Sequence, residues 1–93
     1  RDMKEKLKKI YNHFGEEAQM HKLIEEAGEF AEAVREGDKE HITEEIADVL
    51  VLVDQTTVEH DIQVVNIFKV FEQKADRTIE RIATRYYESE DKR

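Results

Sequence analysis

No proline interrupts this chain of 93 residues, and its three glycines stand at positions 15, 28 and 37. Between those breaks, apolar residues recur at helical spacing. Met3, Leu7, Ile10 and Phe14 fall at i, i+4, i+7 and i+11, one face of a helix. Strand alternation is absent, and Ala, Leu, Glu, Lys and Arg dominate. This pattern predicts an all-α chain. Four helices follow from it, over about residues 2–13, 16–36 and 39–59, with a fourth running to about Tyr87. Gly37 is a natural stop, since glycine accepts the left-handed conformation that closes helices. Asp38 and Asp61 stand where N-caps for the third and fourth helices belong. Tight turns between helices favour an antiparallel bundle. The tail ESEDKR is charged and expected to fray. With no linker or internal repeat, residues 1–93 read as a single helical domain.

Two carboxylate pairs break the apolar stripes, Glu26-x-x-Glu29 in KLIEEAGEFAEAV and Glu45-x-x-Asp48 in ITEEIADVLVLVDQ. At about 100° per residue, Leu23, Phe30 and Val34 fall to one side of Glu26, and Glu29 about 60° to the other. Ile42, Val49 and Leu52 lie within about 60° of Glu45, with Asp48 about 60° opposite. Each i, i+3 pair therefore borders a core-facing stripe, close enough to share an ion. Glu25, Glu32, Glu44 and Asp54 point toward solvent. Acids beside a core are expensive to bury unless a cation compensates them. In a chain with 23 acids, such pairs also arise as solvated faces. Four hard oxygen donors on adjacent helices suit Mg2+ or Mn2+. A di-iron bundle needs Glu-x-x-His on two helices, and this sequence has none. The histidines at 13, 21, 41 and 60 share no ligand spacing and read as surface or boundary residues.

Charged residues make up 41% of the chain and the formal net charge is −8. That balance argues against a nucleic-acid polymer or an anionic membrane as partner. No apolar run approaches the roughly 18 residues of a membrane span. Cysteine is absent, which rules out a disulfide framework or thiolate zinc site and suits a cytoplasmic protein. No signal-peptide pattern opens the chain, which starts at Arg1 rather than Met, as a trimmed chain would. A lone domain of this size buries a limited core. Ile62, Val65, Phe68, Ala75, Ile79 and Ile82, with Val51 and Val58, exceed what one thin seam covers. A homodimer or homotetramer is the expectation.

At its acidic motifs the sequence resembles the MazG-like superfamily of all-α nucleoside triphosphate pyrophosphohydrolases. Dimeric dUTPases and phosphoribosyl-ATP pyrophosphohydrolases belong to that group. Its hallmark, ExxE, a spacer, then ExxD, is matched by Glu26, Glu29, Glu45 and Asp48. QMHKLIEEAGEFAEAV and EEIADVLVLV look like its two motif helices, and KADRTIERI like its late basic segment. Arg77 stands where many members carry asparagine. The likeness covers about residues 10–82 and is closest to small stand-alone or phage-like members.

The resemblance implies hydrolysis of a (d)NTP between the α and β phosphates, giving a monophosphate and pyrophosphate, in nucleotide-pool house-cleaning. Mg2+, with Mn2+ as an alternative, would be held by Glu26, Glu29, Glu45 and Asp48. Glu29 or Glu45 is then the candidate proton acceptor, and the sequence does not choose between them. Lys74, Arg77 and Arg81, within about 60° of one another on the fourth helix, are candidates for the phosphates. Their rival reading is pairing with Glu72, Asp76 or Glu80. Lys22 is a further candidate, against an i, i+4 ion pair with Glu26. Gln19, roughly 20° from Glu26, is placed to read a base. Phe14, His21, Phe30 and Asn66 are other base candidates, and Tyr86 and Tyr87 candidates for a bundle end or interface. Two other functions stay open: a non-catalytic helical interaction module, and a pyrophosphohydrolase acting on phosphoribosyl-ATP.

Overall fold

The computed structural model describes residues 2–84 and 88. Four helices account for nearly all of them: α1 (Met3–Phe14), α2 (Glu16–Glu36), α3 (Lys39–Glu59) and α4 (Val64–Ala83). No strand occurs among the described residues. They divide into two compact units, one ending at Asp61 and one starting at Ile62.

Each helix of the first unit starts and stops for a local reason. The Asp2 carboxylate caps α1 by accepting from the Lys4 N–H at 3.1 Å. Gly15, at φ 89°, separates α1 from α2, and its N–H donates to the Tyr11 carbonyl at 2.8 Å. Gly37, at φ 79° and ψ 12°, closes α2 in the left-handed conformation. Asp38 then caps α3, accepting from Glu40 N–H at 3.1 Å and His41 N–H at 3.5 Å. Asp61 is the exception. It does not cap α4, because it takes φ 53° itself and donates its N–H to the Val58 carbonyl at 3.2 Å. An N-cap needs extended backbone, which Gln63 supplies at φ −80° and ψ 129°, without a side-chain bond. The fourth helix therefore begins at Val64 and ends at Ala83; Tyr86 and Tyr87 lie outside the described residues.

The first unit is a three-helix bundle with a polar interior. Leu7, Tyr11, Ala33 and Leu52 are buried, and so are Gln19, Glu26, Glu45, Gln55 and Thr57. The apolar stripes are shallower than their periodicity implies: Met3, Phe14 and Val34 are exposed, and Leu23, Phe30, Ile42 and Val49 are half-buried. α4, taken by itself, is a strongly amphipathic helix in which the Phe68 and Phe71 rings meet edge-on, 6.1 Å apart. No helix among the described residues is long and apolar enough to cross a membrane.

Candidate functional site

The register of α2 against α3 builds the site. Gln19, early in α2, bonds to Gln55, late in α3, through Gln19 Nε2 donating to Gln55 Oε1 at 2.9 Å. Seven residues on, Glu26 meets Asp48, itself seven residues before Gln55. Contacts that run in opposite directions along the two helices make the pair antiparallel. About two turns separate the amides from the acids on each helix.

One carboxylate oxygen from each of Glu26, Glu45 and Asp48 lies within 4.8 Å of the others. Glu25, Glu26 and Glu29 meet the same distance, so Glu26 belongs to both groups. Three of the four motif acids, Glu26, Glu45 and Asp48, therefore come together, and Glu29 adjoins them only through Glu26, along with Glu25, which the sequence placed toward solvent. Glu26 and Glu45 are each only 7% exposed. Their Oε2 atoms are buried and find no hydrogen-bond partner among the described residues. Burial first, then a hydrogen bond with Glu26 and the charges of Glu29, Glu26 and Asp48, push the Glu45 carboxyl above its ordinary range. An oxygen-only cluster, buried at Glu26 and Glu45 and open at Asp48, with two orphaned carboxylate oxygens, fits a hard divalent cation, so the cluster could bind a metal ion.

Among the described residues, Lys22 and His41 reach these acids. Lys22 Nζ stands 2.8 Å from Glu25 Oε1 and 3.4 Å from Glu26 Oε1, so the i, i+4 pair weighed from the sequence is present. His41 stands between two acids, Nδ1 3.4 Å from Glu36 and Nε2 3.3 Å from Glu45. Burial pulls its pKa down, but Glu36 and Glu45 together outweigh that and raise it.

Beside the acids opens a groove of about 510 Å³, entirely within the first unit. Lys22, Glu26 and Asp48 line its charged end, Ile10, Phe14, Ala18, Val51 and Leu52 its apolar wall, and Gln19 and Gln55 complete it. Phe14 is thus a groove residue rather than a core one. His21 lies in a separate shallow cleft with Glu16 and Glu17, Phe30 is half-buried, and Asn66 belongs to α4. Lys74, Arg77 and Arg81 also belong to α4, in the second unit. Sequence reasoning missed Gln55 and His41. The available signal was a polar residue in an apolar stripe, seven after Asp48, mirroring Gln19 seven before Glu26.

Comparison with known families returns the MazG nucleotide pyrophosphohydrolase domain, whose model matches residues 14–86. Comparison with curated proteins and with solved structures gives no match.

Proposed function

The chain belongs to the MazG nucleotide pyrophosphohydrolase family, and from that premise we propose that it hydrolyses a (d)NTP between the α and β phosphates. The products are a (d)NMP and pyrophosphate, the cofactor is Mg2+ or Mn2+, and the role is nucleotide-pool house-cleaning in the cytoplasm. The observation that carries this reading is the convergence of Glu26, Glu45 and Asp48, with two buried carboxylate oxygens lacking partners among the described residues.

Glu26, Glu45 and Asp48 would hold the ion, which when bound neutralises phosphate charge and acidifies a water. Glu29 is exposed and stands outside that tight trio, so it is the acid free to accept the proton of the attacking water. Glu45, the other candidate, already faces His41 through one carboxylate oxygen and belongs to the trio that would hold the ion. Lys22, half exposed, is positioned to turn from Glu25 to a phosphate oxygen at the charged end of the groove. Gln19 faces the base. Lys74, Arg77 and Arg81 are proposed to hold the leaving pyrophosphate, and the working form is proposed to be a homodimer or homotetramer.

The test is a panel of nucleoside and deoxynucleoside triphosphates, with phosphoribosyl-ATP, incubated with Mg2+ while pyrophosphate and orthophosphate are detected separately. Pyrophosphate and a monophosphate should appear together. Orthophosphate as the primary product would refute the reading.

A further inference from the structure

Gln55 is 1% exposed, the largest fully buried side chain among the described residues. Its Oε1 accepts from Gln19, but its own Nε2 is buried and finds no hydrogen-bond partner among the described residues. A buried amide left this way is a net cost to the fold that a leucine of similar volume would avoid. Both glutamines line the groove whose far end holds Glu26 and Asp48. Seven residues of helix separate the amides from those acids, about 10 Å along the axis. That is roughly the reach of a nucleotide from its α phosphate to the edge of its base. The wall between is apolar, as the flat face of a base requires.

We infer that Gln55, held by Gln19, reads the hydrogen-bonding edge of the substrate's base. This rests on the triphosphate reading above. The amide pair is reversible. Turning both amides by half a rotation keeps their mutual hydrogen bond and exchanges the free NH2 of Gln55 for a free carbonyl. The groove thus answers a base that offers an acceptor, such as the 4-keto oxygen of uracil, and equally one that offers a donor, such as the 4-amino group of cytosine. The pair selects for the presence of a base and tolerates the keto–amino exchange.

Calorimetric titration with Mg2+ and the α,β-imido analogues of UTP and CTP tests this, with inorganic triphosphate as the base-free ligand. The wild-type chain should bind the two analogues within about tenfold of each other, and both more tightly than inorganic triphosphate. In Gln55→Leu the analogues should weaken on the order of tenfold, the worth of one lost hydrogen bond, while inorganic triphosphate is unchanged. Gln55→Met, with a more adaptable side chain, repeats the measurement if the leucine variant loses its helical signal. Unchanged analogue binding in a folded variant overturns the inference. So does a loss shared equally with inorganic triphosphate, or a wild-type chain that prefers one analogue a hundredfold. Base-dependent binding of the analogues, with no hydrolysis of UTP or CTP themselves, would instead sink the pyrophosphohydrolase reading and leave Gln55 as a base reader.

Discussion

Glu45 is held where its charge is unwelcome. It is buried, its Oε2 lacks a partner among the described residues, and three other acids surround it. Its folded pKa is raised, so the stability it contributes is full below the ordinary glutamate range and is lost as pH rises through the raised value. In metal-free buffer the melting temperature should therefore gain as pH falls from neutral toward that range. Glu45→Gln removes the charge with little change in volume. It should flatten this pH dependence, raise the metal-free melting temperature at neutral pH, and abolish turnover. Added Mg2+ should stabilise the wild type by mass action, by about 2.7 kcal/mol at a hundred times Kd, and leave the variant unmoved. A variant that melts lower than wild type without metal, by thermal denaturation, would mean that Glu45 is structural. These acids were legible in the sequence because two carboxylates per stripe break an apolar pattern twice at the same spacing. Gln55 was not, because a single neutral amide in a stripe carries no charge to mark it, and its partner Gln19 lies 36 residues away.

Among the elements, the α1–α2 junction is tied to the end of α3 by a small polar cluster. Tyr11 OH donates to Glu16 Oε1 at 2.5 Å, and His60 Nε2 stands 3.3 Å from the same oxygen. The bond to Glu16, then burial, then the charges of Glu16 and Glu59 push the Tyr11 phenol from 10.0 to about 12. Absorbance titration should show a tyrosine ionising near that value, and Glu16→Gln should bring it back toward the ordinary range; no movement would break the assigned contact. For α4 the sequence-based expectation is contact with the leaving pyrophosphate, where charge grows as the bond breaks. Stabilising that growth lowers the barrier more than it tightens binding. Lys74→Ala should accordingly cut kcat on the order of tenfold, about 1.4 kcal/mol, with Mg2+ affinity unchanged in the absence of nucleotide. Unaltered kinetics would remove α4 from the phosphate site. Helix ends were readable at Gly15, Gly37 and Asp38, where a glycine or a capping aspartate made the break. Asp61 was misread as a cap because the same residue type also tolerates left-handed backbone, and sequence does not say which property is used.

At the scale of the whole molecule the unresolved demand is apolar. Ile46, Leu50 and Val53 repeat at i, i+4 and i+7 on α3 and are 42%, 53% and 39% exposed. They lie on a different face from the buried acids, since Leu50 follows Glu45 by about 140° of helical rotation. A chain at −8 net charge repels its copies at long range, so association must come from short-range burial of such faces. The proposed homodimer would cover this stripe in both protomers. Leu50 is about half exposed, so Leu50→Asp forfeits about 1 kcal/mol of burial on each side of a two-fold interface, or about 2 kcal/mol per dimer. That weakens assembly on the order of thirtyfold, before the further cost of placing a charge there. Sedimentation at micromolar concentration should then show a dimer or larger species for the wild type and a monomer for the variant. Because Leu50 lies on another face of α3 from the acids, activity per chain in the variant reports on assembly. A fall in activity that tracks dissociation means that the working site needs the neighbouring protomer. A wild-type chain that sediments as a monomer at full activity would end the oligomer proposal.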